Sequence, residues 1–157
     1  MAETQKTLTD KCSFYLNSQG ISHSISNMGK IRVIHLENLA DDNDNKIDGV
    51  ITVDDTTLIL QVYLGCSVPV EKMHETLFMI NAVNNMLLRG YLTYDPLAEK
   101  VEYCAKSMVE GCEIEDENFF HMFLGVIQVE ITRLNLAFGA FAEGRADMEE
   151  CIAMFRP

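Results

Sequence analysis

Apolar residues recur along this chain with two periods, and the longest run of one period lies near its end. From Phe119 to Ala142 the spacing is that of a continuous helix. One seam reads Phe120, Leu124, Ile127, Ile131, Leu134, Phe138 and Phe141, in alternating steps of four and three. A second seam reads Met122, Val126, Val129, Arg133, Leu136 and Ala140, with Phe123 between the two on the helical wheel. Only a narrow strip, His121, Gln128 and Asn135 beside Gly125, Thr132 and Gly139, reads as water-facing. A surface helix needs one apolar stripe to hold it on a core. This helix carries two, and the second predicts a second partner. The plainer alternative is that the first helix and the tail of the same chain cover it.

Upstream, Leu8, Cys12, Tyr15 and Leu16 predict a helix near Thr4 to Ser18, with Gly20 as its stop. Period two then takes over. Ile31 to Glu37, Gly49 to Val53 and Thr57 to Leu64 predict strands, the polar run Asp41 to Asp48 being a loop between them. In the last of these strands Leu58, Leu60, Val62 and Leu64 share one face, and Ile59, Gln61 and Tyr63 the other. Apolar residues on both sides predict a central strand. Pro69 suits the first turn of a helix running to about Leu88, ended by Gly90. Tyr91 to Asp95 and Lys100 to Val109 predict a hairpin around Asp95-Pro96-Leu97-Ala98. The acidic stretch Glu113 to Glu117 favours the start of the long helix. Met148, Ile152 and Phe155 predict a short tail helix within residues 143–157. The order α-β-β-β-α-β-β-α plus a tail implies one α+β domain over residues 1–157, an antiparallel sheet packed against helices.

Charge narrows the partners. A formal net charge of −12 argues against nucleic acid, and against acidic lipid surfaces. Glu130 and Arg133 at the middle of the long helix argue against a membrane span. Five scattered cysteines without a C-x-x-C suit free thiols in a reducing cytoplasm, and the opening residues lack the apolar core of a secretory signal. A cytoplasmic location is expected.

Candidate chemistry adds little. Asp44 to Asp55 superficially matches a calcium loop, with Asp44, Asp48 and Asp55 as ligands. Lys46 stands where a ligand oxygen is needed, the last acid is Asp rather than Glu, and the flanks read as strands. A solvated turn fits better. His74-Glu75 opens like a zinc-hydrolase helix, but Phe78 occupies the place of the second histidine. His23, His35 and His121 have no local partner at ligand spacing, and there is no phosphate loop or nucleophile elbow. A site assembled from distant residues such as His35, Glu102 and His121 is the enzymatic alternative, and a calcium-tuned binding module the third. Cys104 and Cys112 would meet only if the chain bends between them. Asn81 and Asn84 share a helix face with apolar neighbours, so one or both are expected to bridge helix to adjacent backbone.

The ordered series Ser67-Val68-Pro69-Val70-Glu71, Ile80-Asn81-Ala82-Val83-Asn84, Gly90, the strands Tyr91 to Asp95 and Val101 to Val109, and the long closing helix resembles the bacterial YbjN family. Those proteins are similar in fold to the type III secretion chaperones. The resemblance spans about Gly49 to Ala142. It implies an α+β sandwich, a homodimer, no enzymatic activity and no cofactor; no metal site is expected either. The reading that follows is a chaperone-like or regulatory protein that binds an unknown partner protein through apolar helix and sheet surfaces. Met122, Val126, Val129, Arg133 and Leu136 form the expected partner or dimer surface.

Overall fold

The structure, a computed structural model, describes residues 7–42, 45–109 and 116–157. Helix α1 (Leu8–Ser18) starts at a reciprocal cap: Asp10 N–H donates to Thr7 Oγ1 at 3.2 Å, and Thr7 N–H to Asp10 Oδ2 at 3.0 Å. Six strands follow in two groups. β1 (Ser22–Met28), β2 (Ile31–Asp42), β3 (Asn45–Val53) and β4 (Thr57–Tyr63) form a meander. A 3-10 turn (Val70–Lys72) then leads into α2 (Met73–Asn84), and β5 (Tyr91–Asp95) and β6 (Lys100–Met108) form a hairpin. The long helix runs as α3 (Asp116–Phe120), a π-helical turn (His121–Gly125) and α4 (Val126–Ala142), and α5 (Met148–Ala153) closes the chain. Every strand pair is antiparallel, in the order β1-β2-β3-β4-β6-β5. The fold is α+β.

The first seam lies on this sheet. Phe120, Leu124, Ile127, Ile131, Leu134, Phe138 and Phe141 are all buried, in one cluster with Ile34, Ile51, Leu58, Leu60, Val62 and Tyr103. Around the π-helical turn aromatic rings meet: Phe119 stacks on Phe123 at 5.9 Å and Phe120 on Tyr15 of α1 at 5.7 Å. The helix layer covers one sheet face, and among the described residues no element covers the other. β4 lies between β3 and β6, the central place its sequence predicts, yet Gln61 and Tyr63 on its outer face are exposed.

Besides the π-helical turn in the long helix and the 3-10 turn before α2, the structure departs from the sequence pattern in four places. β1 is a strand the pattern misses, because Ser-His-Ser-Ile-Ser-Asn-Met offers no apolar face; pairing with β2 along its whole length holds it. The polar run at Asp41 to Asp48 is mostly strand, since β2 continues to Asp42 and β3 begins at Asn45, with a register shift between Leu36 and Ala40. α2 ends at Asn84 rather than Leu88. There the Asn84 amide accepts from Leu92 N–H at 2.7 Å and donates to Leu92 C=O at 3.1 Å, fastening the helix end to β5. This is the bridge expected of the asparagine pair, made by Asn84, while Asn81 is exposed. Finally, the strip beside the long helix's seams is only partly wet. Asn135 is buried and accepts from Gly65 N–H at 2.8 Å, and Gln128 donates to Leu39 C=O at 3.1 Å. Those backbone groups lie just past β4 and at the irregularity of β2, where the ladder leaves them without sheet partners.

Candidate functional site

With the first seam on the sheet and the amide strip tied to its margin, the second seam faces outward. Val129 is 61% exposed, Met122 50% and Leu136 45%, with Arg133 exposed and Val126 half-buried. α1 does not cover this row, and the tail meets it at Arg133 while leaving Met122, Val129 and Leu136 exposed. α1 packs at the α3 end, and α5 lies between α2 and α4. Gly144, at φ +71°, turns the chain out of α4, a conformation that costs glycine little. Lys72 Nζ donates to Phe141 C=O at 3.0 Å, placing a cation at the negative end of that helix.

Alongside the row runs a groove of about 670 Å³, walled by Met86, Leu87 and Leu88 on one side and by Val126, Val129 and Phe155 on the other. Leu88 is 82% exposed at its lip. Arg133 marks one edge. Its guanidinium donates to Met154 C=O at 2.6 Å, just beyond α5, and lies 5.3 Å from the Phe155 ring centroid.

Glu130, the local partner the spacing offers Arg133, turns the other way. It is buried, accepting from Tyr103 Oη and from Leu88 N–H, both at 2.5 Å. Burial first, then the hydrogen bond and charge of Glu130, push the Tyr103 phenol far above its usual pKa. Gly90 completes the arrangement: a Cβ there would sit 2.3 Å from Tyr103 Cζ, so only glycine lets the chain pass the ring. The carboxylate thus clamps the turn after α2 to the sheet and to α4, fixing Leu88 beside the seam. Sequence reasoning missed this cluster because its members are separated by up to 42 residues. The available signal was a lone acid among apolar helix positions.

The structure brings the described residues of the alternative sites together only in part. His35 and Glu102 line the same trough on the outer sheet face, with β3 and β4 between their strands, whereas His121 lies on the long helix across the sheet. Asp48 belongs to β3 and Asp55 to the turn beyond its far end; Asp44 and Cys112 lie outside the described residues, as do residues 113–115 of the acidic stretch. Among the described residues no cluster of three His, Cys, Asp or Glu could hold a metal, and Cys12, Cys66, Cys104 and Cys151 are free thiols. Burial pushes the Cys12 thiol up to about 12, so it is inert rather than nucleophilic. Among the described residues one helix, Asn118–Ala142 with mean hydropathy 1.2, is long and apolar enough to cross a membrane by length and composition; half of its apolar stretch is buried. No protein-family model, curated protein or solved structure matches the chain.

Proposed function

We propose that this chain is a non-enzymatic protein-binding module, YbjN-like and similar to the type III secretion chaperones. It acts as a chaperone-like or regulatory partner in the cytoplasm and pairs with a second copy of itself through α4. The observation that carries this is the open second seam, Met122, Val126, Val129, Arg133 and Leu136, continued by Leu88. Its steps of four and three match the spacing with which one helix receives another's side chains. Charge favours a second copy as the occupant. The only carboxylate from Asn118 to Ala142 is Glu130, and it is buried, so two strongly acidic chains can meet here without opposing acids. A basic partner would find no acid on this face.

Methyl NMR tests the reading by dilution. Resonances of Met122, Val126, Val129 and Leu136 should move as the protein is diluted through its dissociation constant, while those of Ile131 and Leu134 stay put. Methyls that ignore concentration in a chain of monomeric mass would contradict it.

A further inference from the structure

The outer sheet face is graded by row. Strand register sets Ser26, Val33, Thr52, Ile59 and Lys106 side by side across five strands. Next to them runs a mostly neutral row, Ser24, His35, Val50, Gln61, Cys104 and Tyr91. Beyond that come Glu37 and Asp48, beside the Leu36–Gly49 pair, then Tyr63 opposite Glu102. One margin is therefore β-branched at its centre, with Ser26 and Lys106 at its ends, the other is acidic, and a trough of about 570 Å³ runs where the acids gather, lined by His35, Glu37, Asp48, Val50, Tyr63 and Glu102.

Two of these acids are held by hydrogen bonds rather than by ion pairs. Glu102 accepts from Gln61 Nε2 at 3.1 Å, and Asp48 accepts from Asn38 N–H at 3.2 Å. Tyr63 donates its hydroxyl to Asp95 at 2.9 Å, leaving a 45%-exposed ring among the carboxylates. Among the described residues no ion pair reaches Glu37, Asp48 or Glu102. The hydrogen bond to Asp95, then partial burial, then the negative charges of Asp95 and Glu102 raise the pKa of Tyr63, as expected of a phenol set among these carboxylates.

We propose that the outer face of the sheet docks a basic amphipathic segment of a partner protein. Its lysines or arginines lie over Glu37, Asp48 and Glu102, with the Tyr63 ring between them, and its apolar side lies on Val50, Thr52 and Ile59. Glu37 to Glu102 spans three strand spacings, about 14 Å, or about ten residues of helix. Charge complementarity selects this occupant: an acidic segment or a second copy would bring carboxylates onto carboxylates. The proposal rests on reading the chain as a protein-binding module, but uses a face remote from the α4 seam.

The probe is a fluorescent amphipathic helical peptide of about eighteen residues, lysines on one side and leucines on the other, followed by anisotropy at low and high salt. It should bind, with Glu37→Gln and Glu102→Gln each weakening it about threefold and together about tenfold at low salt. Ile59→Ser should also weaken it, whereas the Val129→Asp, Leu136→Asp double variant should bind as the parent does. No binding, indifference to both glutamine substitutions, or equal affinity for a lysine-only peptide would overturn the proposal. Failure of dimerisation with intact peptide binding would strike only the reading of the α4 seam.

Discussion

The two seams of the long helix share a spacing, and both are mostly apolar, yet the first is buried along its length and the second stands open. What separates them is bulk and the sheet's reach. The first seam has three phenylalanines, Phe120, Phe138 and Phe141, which fill the space above β-branched and aromatic sheet residues. The second has no aromatic ring: Val126, Val129 and Ala140 are small, Met122 and Leu136 are its largest apolar members, and Arg133 interrupts it. A seam of that kind adds little to a core but can receive another helix. One helix thus serves two purposes, and periodicity alone does not distinguish them.

Substitutions can separate these roles. Phe138→Ala removes a fully buried ring from the first seam and should cost about 4 kcal/mol in urea unfolding. Glu130→Ala should cost about 3 kcal/mol by the same measurement, because it strands the buried Tyr103 hydroxyl and the Leu88 N–H. Equal loss in Glu130→Leu would identify the lost clamp, rather than a cavity, as the cause. Arg133→Ala should cost only about 0.5–1 kcal/mol, the worth of a cation at a helix end, and a much larger loss would place Arg133 in the core.

A pH experiment tests the clamp more finely. Tyr103 holds its proton more tightly folded than unfolded, so the native state binds more protons once pH passes the ordinary tyrosine value of 10.0. Its contribution is complete below that pH and is lost as pH rises above it. The slope of unfolding free energy between about pH 10 and pH 11 should therefore be shallower in Tyr103→Phe than in the parent. Identical slopes would remove Tyr103 as its source.

Much of this comparison was legible in the sequence. The first seam could be read residue by residue, as could a bridge from one or both of Asn81 and Asn84 and the hairpin around Asp95 to Ala98, because each depends on local spacing. β1 was invisible: an edge strand of alternating serines is held by its neighbour rather than by its own pattern. Asn135 looked wet because its partner, the Gly65 N–H, lies 70 residues away. Glu130 looked like the mate of Arg133 because spacing reveals helix neighbours and not the direction in which a side chain turns. The graded rows of the outer face needed the register of five strands, which no local pattern contains.

The most direct test is the solution mass of the parent and of the Val129→Asp, Leu136→Asp double variant, by sedimentation equilibrium, with thermal unfolding as the check on folding. Both positions are solvent-exposed in the single chain, so the variant should fold with stability within about 0.5 kcal/mol of the parent, compared as monomers. The parent should sediment at twice the 17.7 kDa chain mass and the variant at 17.7 kDa. A monomeric parent, or a variant that remains dimeric, would contradict the assignment of the second seam as the interface.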